Sequence, residues 1–307
     1  MKNILLTGGT GFIGRNVIEL FQQNGDRIIA LSTHNDGDIS ILRSYHIDDV
    51  LFEEDLDVKN KYQIDCCIHL ASYGVKYGDS NIETMIDVNI KLATKVLFFC
   101  VNNNCKVFLS AGSCFEYGTQ DNLFLNEQCE TKPEDIYASS KVASHTLLKT
   151  IALKNGIQFI VCRPFGVYGK YEPPHRLLPL IIKHGSEMQR LEMSGGKQLR
   201  DFLYVKDVAN AFYQIMVSAS NFDSADVVNI CSGEACSIKT FAEEIIKQKN
   251  FDKSLFVFGA LPYRQHESLR FVGDNAKIKK LTSWTQKYSL EEGIKDYCEC
   301  FPNEKND

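Results

Sequence analysis

The chain has 307 residues, which is long for one hydrophobic core, so a large domain with a smaller companion is expected. Its apolar content of 44% and charged content of 24% are those of an ordinary globular protein. A net charge of −5 gives no electrostatic ground for a nucleic acid or an anionic membrane as partner, and no apolar run is long enough to span a bilayer.

Residues 4–6 make a short apolar strand that runs straight into Gly8, Gly11 and Gly14. An amphipathic helix carrying Ile13, Val17, Ile18 and Phe21 follows at once. That order describes a dinucleotide cradle. Gly8 allows a tight turn, Gly11 lets the backbone approach a pyrophosphate, and Gly14 lets the helix pack on the strand. Thr10, Phe12 and Ile13 complete the turn, and the helix N-terminus presents unpaired N–H groups to phosphate. The helix ends near Asn24. Residues 28–31 form a second strand, 49–52 a short third and 66–70 a buried parallel fourth. Residues 82–101 read as one long helix and 105–109 as a strand. Residues 137–152 read as a helix with Leu147, Leu148 and Ile151 on its inner side, and 157–162 as a sixth strand. The alternation predicts an α/β fold, a Rossmann-like doubly wound parallel sheet.

The rhythm changes after Arg163 and Pro164. Residues 200–204 read as a strand, 205–217 as a helix, 227–231 as a strand and 237–249 as an amphipathic helix. The expected organisation is a dinucleotide-binding domain over 1–163, with 205–232 returning to it. A smaller C-terminal α/β substrate lobe comes from 164–204 and 233–302, and 303–307 is a frayed tail. The 11 cysteines are odd in number, lack zinc spacing, and several sit inside apolar runs. They read as free buried thiols in a reducing compartment, with no metal site. With no secretory signal at the N-terminus, a cytoplasmic protein is expected.

Two places could carry chemistry. Tyr137 and Lys141 are one helical turn apart, so phenol and ammonium share a face, and a neighbouring cation should make the phenol more acidic. Among the 13 tyrosines, only Tyr137 has a lysine four positions on. Ser113 follows the strand that ends near Leu109, where ligands of open α/β sheets bind; a turn serine capping its own backbone gives the same signal.

These features, taken in order, resemble the extended short-chain dehydrogenase/reductase family in its nucleotide-sugar epimerase/dehydratase branch. The resemblance is carried by Thr7-Gly-Gly-Thr-Gly-Phe-Ile-Gly14, His69-Leu-Ala-Ser72, Ser113, Tyr137 with Lys141, and Arg200-Asp-Phe-Leu-Tyr-Val-Lys-Asp207. It implies a nicotinamide cofactor on the sheet, a nucleotide sugar in the second lobe, and hydride transfer at a sugar carbon. By position, Tyr137 would be the acid/base, Lys141 would hold the nicotinamide ribose, and Ser113 would bond the reacting oxygen. Asp55 and Leu56 match the adenine contact; Leu70, Ala71, Ser72 and Pro164 match the cofactor groove. Arg200 and Arg264 match arginines that hold the substrate diphosphate or nucleoside. Cys114, Phe115 and Gly166 fall on substrate-side positions, with Gly166 standing where the family often has asparagine. A homodimer through the two long helices is implied by the same analogy.

Dehydratases of the family follow the serine or threonine with Asp-Glu, where this chain has Cys114 and Phe115. Glu116 comes one position late and, on an extended segment, would face away. Epimerase–reductases acting at C3 and C5 need a cysteine where Phe115 stands. What remains is a 4-ketoreductase of a nucleotide-linked 4-keto-6-deoxysugar, a 4-epimerase with tightly held NAD, or a non-catalytic dinucleotide sensor or scaffold. The C-terminal stretch from Phe258 to Trp284 resembles the ketoreductases, and the expectation falls there. The second strand ends at Leu31 without a carboxylate, and Ser32, Thr33 and His34 follow. That end points to NADP, with NAD possible.

Overall fold

Apolar runs separated by amphipathic helices give strand–helix alternation through residue 231. The computed structural model describes residues 1–47, 49–75, 78–263 and 268–300. Strand β1 (Asn3–Thr7) leads into α1 (Phe12–Gln23), β2 (Arg27–Leu31), α2 (Asp36–Ser44), β3 (Val50–Leu51) and β4 (Cys66–His69). Next come α3 (Ile82–Ile86), a π-helical turn (Asp87–Leu92), α4 (Ala93–Asn102), β5 (Val107–Ala111), α5 (Ile136–Lys154) and β6 (Gln158–Pro164). The order continues with β7 (Gly166–Tyr168), α6 (Leu177–Ser186), β8 (Leu191–Met193), β9 (Leu199–Arg200), β10 (Phe202–Tyr204), α7 (Val205–Val217) and β11 (Ala225–Ile230). The chain closes with β12 (Cys236–Ser237), α8 (Ile238–Gln248), β13 (Phe256–Phe258), β14 (Arg270–Phe271), α9 (Ala276–Leu281) and α10 (Leu290–Glu299).

The main sheet has seven strands in the order β11-β6-β5-β4-β1-β2-β3, every neighbouring pair parallel. The chain reverses its direction of travel across the sheet between β1 and β4, the switch point at which doubly wound sheets open a crevice. Both faces are buried, so side chains alternate between two cores. Ile4 and Leu6 pack with α1 and α7 on one side, while Leu5, Cys67 and Phe108 pack with α4 and α5 on the other. The first of these cores continues without a break into the smaller lobe through Tyr168, Phe241, Trp284 and Ile294. That lobe is built on short pairings: β7 with β10, β8 with β13, and β9 between β12 and β14. Among the described residues no helix is long and apolar enough to cross a membrane. All cysteines are free, and most are buried.

Several elements differ from the sequence reading. The long helix is three pieces, because a π-helical turn sits between α3 and α4. Leu147 is exposed, while Leu148 is buried as expected. The segment 200–204 is two strands in different sheets, parted at Asp201, whose carboxylate is turned into a buried web of donors. The third strand shrinks to two residues because Asp55 caps a 3-10 turn there, accepting the Phe52 N–H at 2.8 Å. The tail at 303–307 lies outside the described residues.

Candidate active site at the carboxyl edge of the sheet

Because the strands run parallel and in register (Thr7 opposite both Leu31 and His69, His69 opposite Ser110), the loops after β1, β2, β4 and β5 emerge along one edge. The glycine turn lies at its centre. Gly8 has φ +68°, a left-handed conformation, and a side chain there would come within 2.7 Å of the Ala71 nitrogen. A methyl on Gly14 would overlap the Gly8 carbonyl oxygen. Gly11 is the N-cap of α1, which has neither a side-chain cap nor an acidic residue in its first turn. Thr10, Phe12 and Ile13 frame this turn. Leu70 and Ala71 lie against Gly8, with the Ala71 N–H donating to Thr7 Oγ1 at 3.1 Å. The close-packed turn and the uncapped helix start leave donors for a pyrophosphate and no side chain in its way, so these residues fit a dinucleotide.

The end of β2 itself carries no carboxylate, as read from sequence, but two acids from other elements reach the loop that follows it. The Thr33 hydroxyl donates to Asp38 Oδ2 at 2.8 Å, and His34 Nε2 lies 2.7 Å from Glu54 Oε1 while its ring stacks on Phe52. Asp38 arrives from α2 and Glu54 from the 3-10 turn after β3, so folding delivers two acids that strand order conceals. Ser32 begins this loop. Leu56 is a buried core residue of the same turn as Asp55, and Pro164 closes β6 at the same edge.

Helix α5 turns Tyr137, Lys141 and His145 toward the sheet at successive turns. Lys141 is buried and donates to the Ala111 carbonyl at 3.0 Å, with its nitrogen 6.0 Å from the Tyr137 ring centre. Burial drives its pKa down to about 8, opposed by the charge of Glu116. Tyr137 bonds Ser72 and packs on Gly74. Contrary to the sequence reading, its phenol is less acidic than usual. Burial dominates, the Ser72 hydroxyl works against it, and Glu116 adds to it. Ser113 starts a 3-10 turn (Cys114–Tyr117) at the end of β5 that packs against α5. Its hydroxyl accepts the Phe115 N–H at 3.2 Å, so it caps its own turn as well as sitting at the crevice edge.

In the turn after β5, Phe115 is 46% exposed and meets Phe271 edge-on at 5.4 Å, while Cys114 is buried and its thiol is pushed up to about 12 by burial. The Arg200 guanidinium lies 5.8 Å from the Phe271 ring centre and donates to the Leu199 carbonyl. Gly166 donates its N–H to the Asp201 carbonyl at 2.8 Å, and a side chain there would come within 2.5 Å of that oxygen. That close approach suits a residue without a side chain at this position. Arg264 lies outside the described residues.

The pattern of the NAD dependent epimerase/dehydratase family matches residues 4–231. The chain belongs to this family. CDP-abequose synthase of Salmonella typhimurium is 24% identical over 303 residues, covering 95% of this chain and 96% of that protein. UDP-glucuronate 4-epimerase of Thermodesulfobacterium geofontis is 25% identical over 311 residues, covering 96% and 94%. The structure of UDP-glucose 4-epimerase from Thermotoga maritima, solved with UDP-glucose, superimposes with a TM-score of 0.85 at 24% identity, covering 97% of this chain and 98% of that one. At that identity the likeness establishes the fold.

Three residues of this epimerase/dehydratase member organise the crevice; the sequence reading missed Asn89 and the role of Asp201 and had Glu116 facing away. Asn89, on the π-helical turn, accepts the Tyr73 N–H at 2.8 Å and donates to the Tyr73 carbonyl and the Ser140 hydroxyl, tying the loop after β4 to α5. The available signal was one polar residue in the buried stripe Met85, Asn89, Ala93. Asp201 accepts from Ser232 N and Oγ, Gly233 N and Gly273 N. Glu116 is fully buried and turned inward, because its segment is a tight turn and not extended. Among the described residues no cluster of His, Cys, Asp and Glu could hold a metal ion.

Proposed function

We propose that the protein is a nucleotide-sugar 4-epimerase that retains NAD through its cycle. The observation that carries this reading is the end of β2, where Asp38 and Glu54 already engage Thr33 and His34. Two carboxylates suit the 2′-hydroxyl of NAD and oppose a 2′-phosphate, and NAD suits a reaction that returns its hydride. When bound, NAD supplies reversible hydride acceptance at the sugar C4. Tyr137 takes the proton from the C4 hydroxyl and returns it after the sugar has presented its other face. Ser113 hydrogen-bonds that oxygen. Lys141 holds the nicotinamide ribose and, with the oxidised ring, supplies the positive charge that offsets the burial of the phenol. The substrate would lie between Phe115 and Arg200, its diphosphate toward Arg200 and Arg264. Exposed Ile82, Ile86, Phe98 and Leu147 on α3, α4 and α5 support a homodimer through these helices.

The ketoreductase reading stays as the second, favoured by the alignment with CDP-abequose synthase along nearly the whole chain. Purified protein incubated with a panel of UDP-sugars and no added cofactor should yield C4 epimers and release NAD on denaturation. Stoichiometric NADPH oxidation by nucleotide 4-keto-6-deoxysugars, without epimer formation, would overturn the epimerase in favour of the reductase. No turnover in either assay would leave the sensor. Tyr137→Phe should lower kcat by about 10²–10⁴-fold with dinucleotide still bound; full activity in that variant would remove the mechanism.

A further inference from the structure

We infer that Glu116 is the fixed counter-charge of the Lys141 ammonium and the anchor of the Ser113 turn, a positioning residue for the site proposed above. The inference rests on that reading of Tyr137, Lys141 and Ser113, and neither the family resemblance nor the comparisons assign Glu116 a role.

The geometry is specific. Glu116 Oε1 accepts the Ser113 N–H at 2.9 Å, and the Glu116 N–H donates to the Ser113 carbonyl at 3.1 Å, so the turn is clamped from both sides. Oε2 accepts Arg163 Nε at 3.0 Å and Nη2 at 2.8 Å, with His145 Nδ1 at 3.4 Å. Arg163 in turn lies over the Tyr117 ring at 4.5 Å, and the Tyr117 hydroxyl donates to Asn229 at 2.7 Å. Gly112 leaves room for the carboxylate, since a side chain there would come within 2.5 Å of Oε1. The carboxylate therefore has one position.

Lys141 Nζ sits on the Ala111 carbonyl, and the Glu116 carboxylate lies beside it, bonding the Ser113 N–H two residues on from Ala111 and reaching His145 one turn along α5 from Lys141; Tyr137 of α5, His69 of β4 and Arg163 of β6 are the other titratable groups around it. Burial pulls both histidines down, His69 to about 3, with Glu116 working against it at His145. Glu116 stays ionised, its pKa lowered to about 2 as His145 and Arg163 outweigh the burial that would raise it. Of the groups facing Lys141, Glu116 is the one standing anion. A buried lysine that donates only to a carbonyl would shed its proton near neutral pH, and the charge of Glu116 opposes that loss.

The test is a direct titration of the Lys141 nitrogen in protein carrying ¹⁵N-labelled lysine, its resonance identified by its loss in Lys141→Arg. In Glu116→Gln the titration should move down by about one pH unit, and the alkaline limb of kcat should move with it. Because Glu116→Gln leaves Arg163 buried without its partner, the double variant Glu116→Gln/Arg163→Met is measured beside it and should shift in the same direction. Glu116→Asp, which keeps the charge, should titrate like the parent even if its turn is looser. An unmoved Lys141 resonance in both glutamine variants, or an equal shift in Glu116→Asp, would overturn the inference. Active Tyr137→Phe enzyme would instead remove the catalytic reading and leave the titration standing, so the two failures are distinguishable.

Discussion

A single methyl group decides much at residue 14. The helix start and the glycine turn approach so closely that the Gly8 carbonyl occupies the space a side chain would need. Gly14→Ala should therefore cost about 1–3 kcal/mol in a urea melt and abolish dinucleotide retention, because relief requires α1 to move off β1. An unaltered melt with NAD retained would show that the turn can yield. The glycines, Tyr137, Lys141 and Ser113 were legible from sequence because their signal is spacing along one element. Glu116 was misjudged for the opposite reason. Whether a side chain one position along faces in or out depends on the turn, and the 3-10 turn after β5 reverses what an extended segment would do.

Among the elements, the motif from Arg200 to Asp207 carries two buried acids that work as staples. Asp201 gathers donors from the loop after β11 and from Gly273, while Asp207 accepts the N–H groups of Lys287 and Tyr288. Asp201→Ala would strand these donors together, and about 2–4 kcal/mol of stability should go with them. Hydrogen exchange should quicken at Ser232, Gly233 and Gly273, while Gly11 and its neighbours keep their protection. Uniform quickening would mean that the staple holds the whole fold and not this corner. The sequence showed the motif but read 200–204 as one strand, since no local rule tells where a chain leaves one sheet for another. The π-helical turn escaped similarly: its cause is Asn89 reaching Tyr73 and Ser140, partners 16 and 51 residues away.

At the scale of the molecule, buried titratable groups set the response to acid. His69 is held neutral, to about 3, and Glu116 ionised, to about 2. Both pKa values are depressed below those of the unfolded chain. Each group therefore contributes stability above its unfolded pKa, near 6.5 for histidine and 4.3 for glutamate, and loses it as pH falls toward the folded value. Buried Glu172, raised to about 7, works in the opposite sense, so the prediction is a difference: between about pH 6.5 and about pH 3 the urea midpoint should fall more in the parent than in His69→Asn. An equal change in the two proteins would show that water reaches His69.

The order of strand, glycine turn and helix, the two-sided burial of the sheet and the Tyr137–Lys141 spacing were determined by the sequence by itself, because each rests on contacts within a few residues or on the period of one element. Tertiary structure alone decided the rest: the carboxylates of Asp38 and Glu54 at the end of β2, the inward turn of Glu116, and the acidity of Tyr137. Charge and desolvation act through space, and which way a side chain in a turn or loop faces is settled only once the chain has folded.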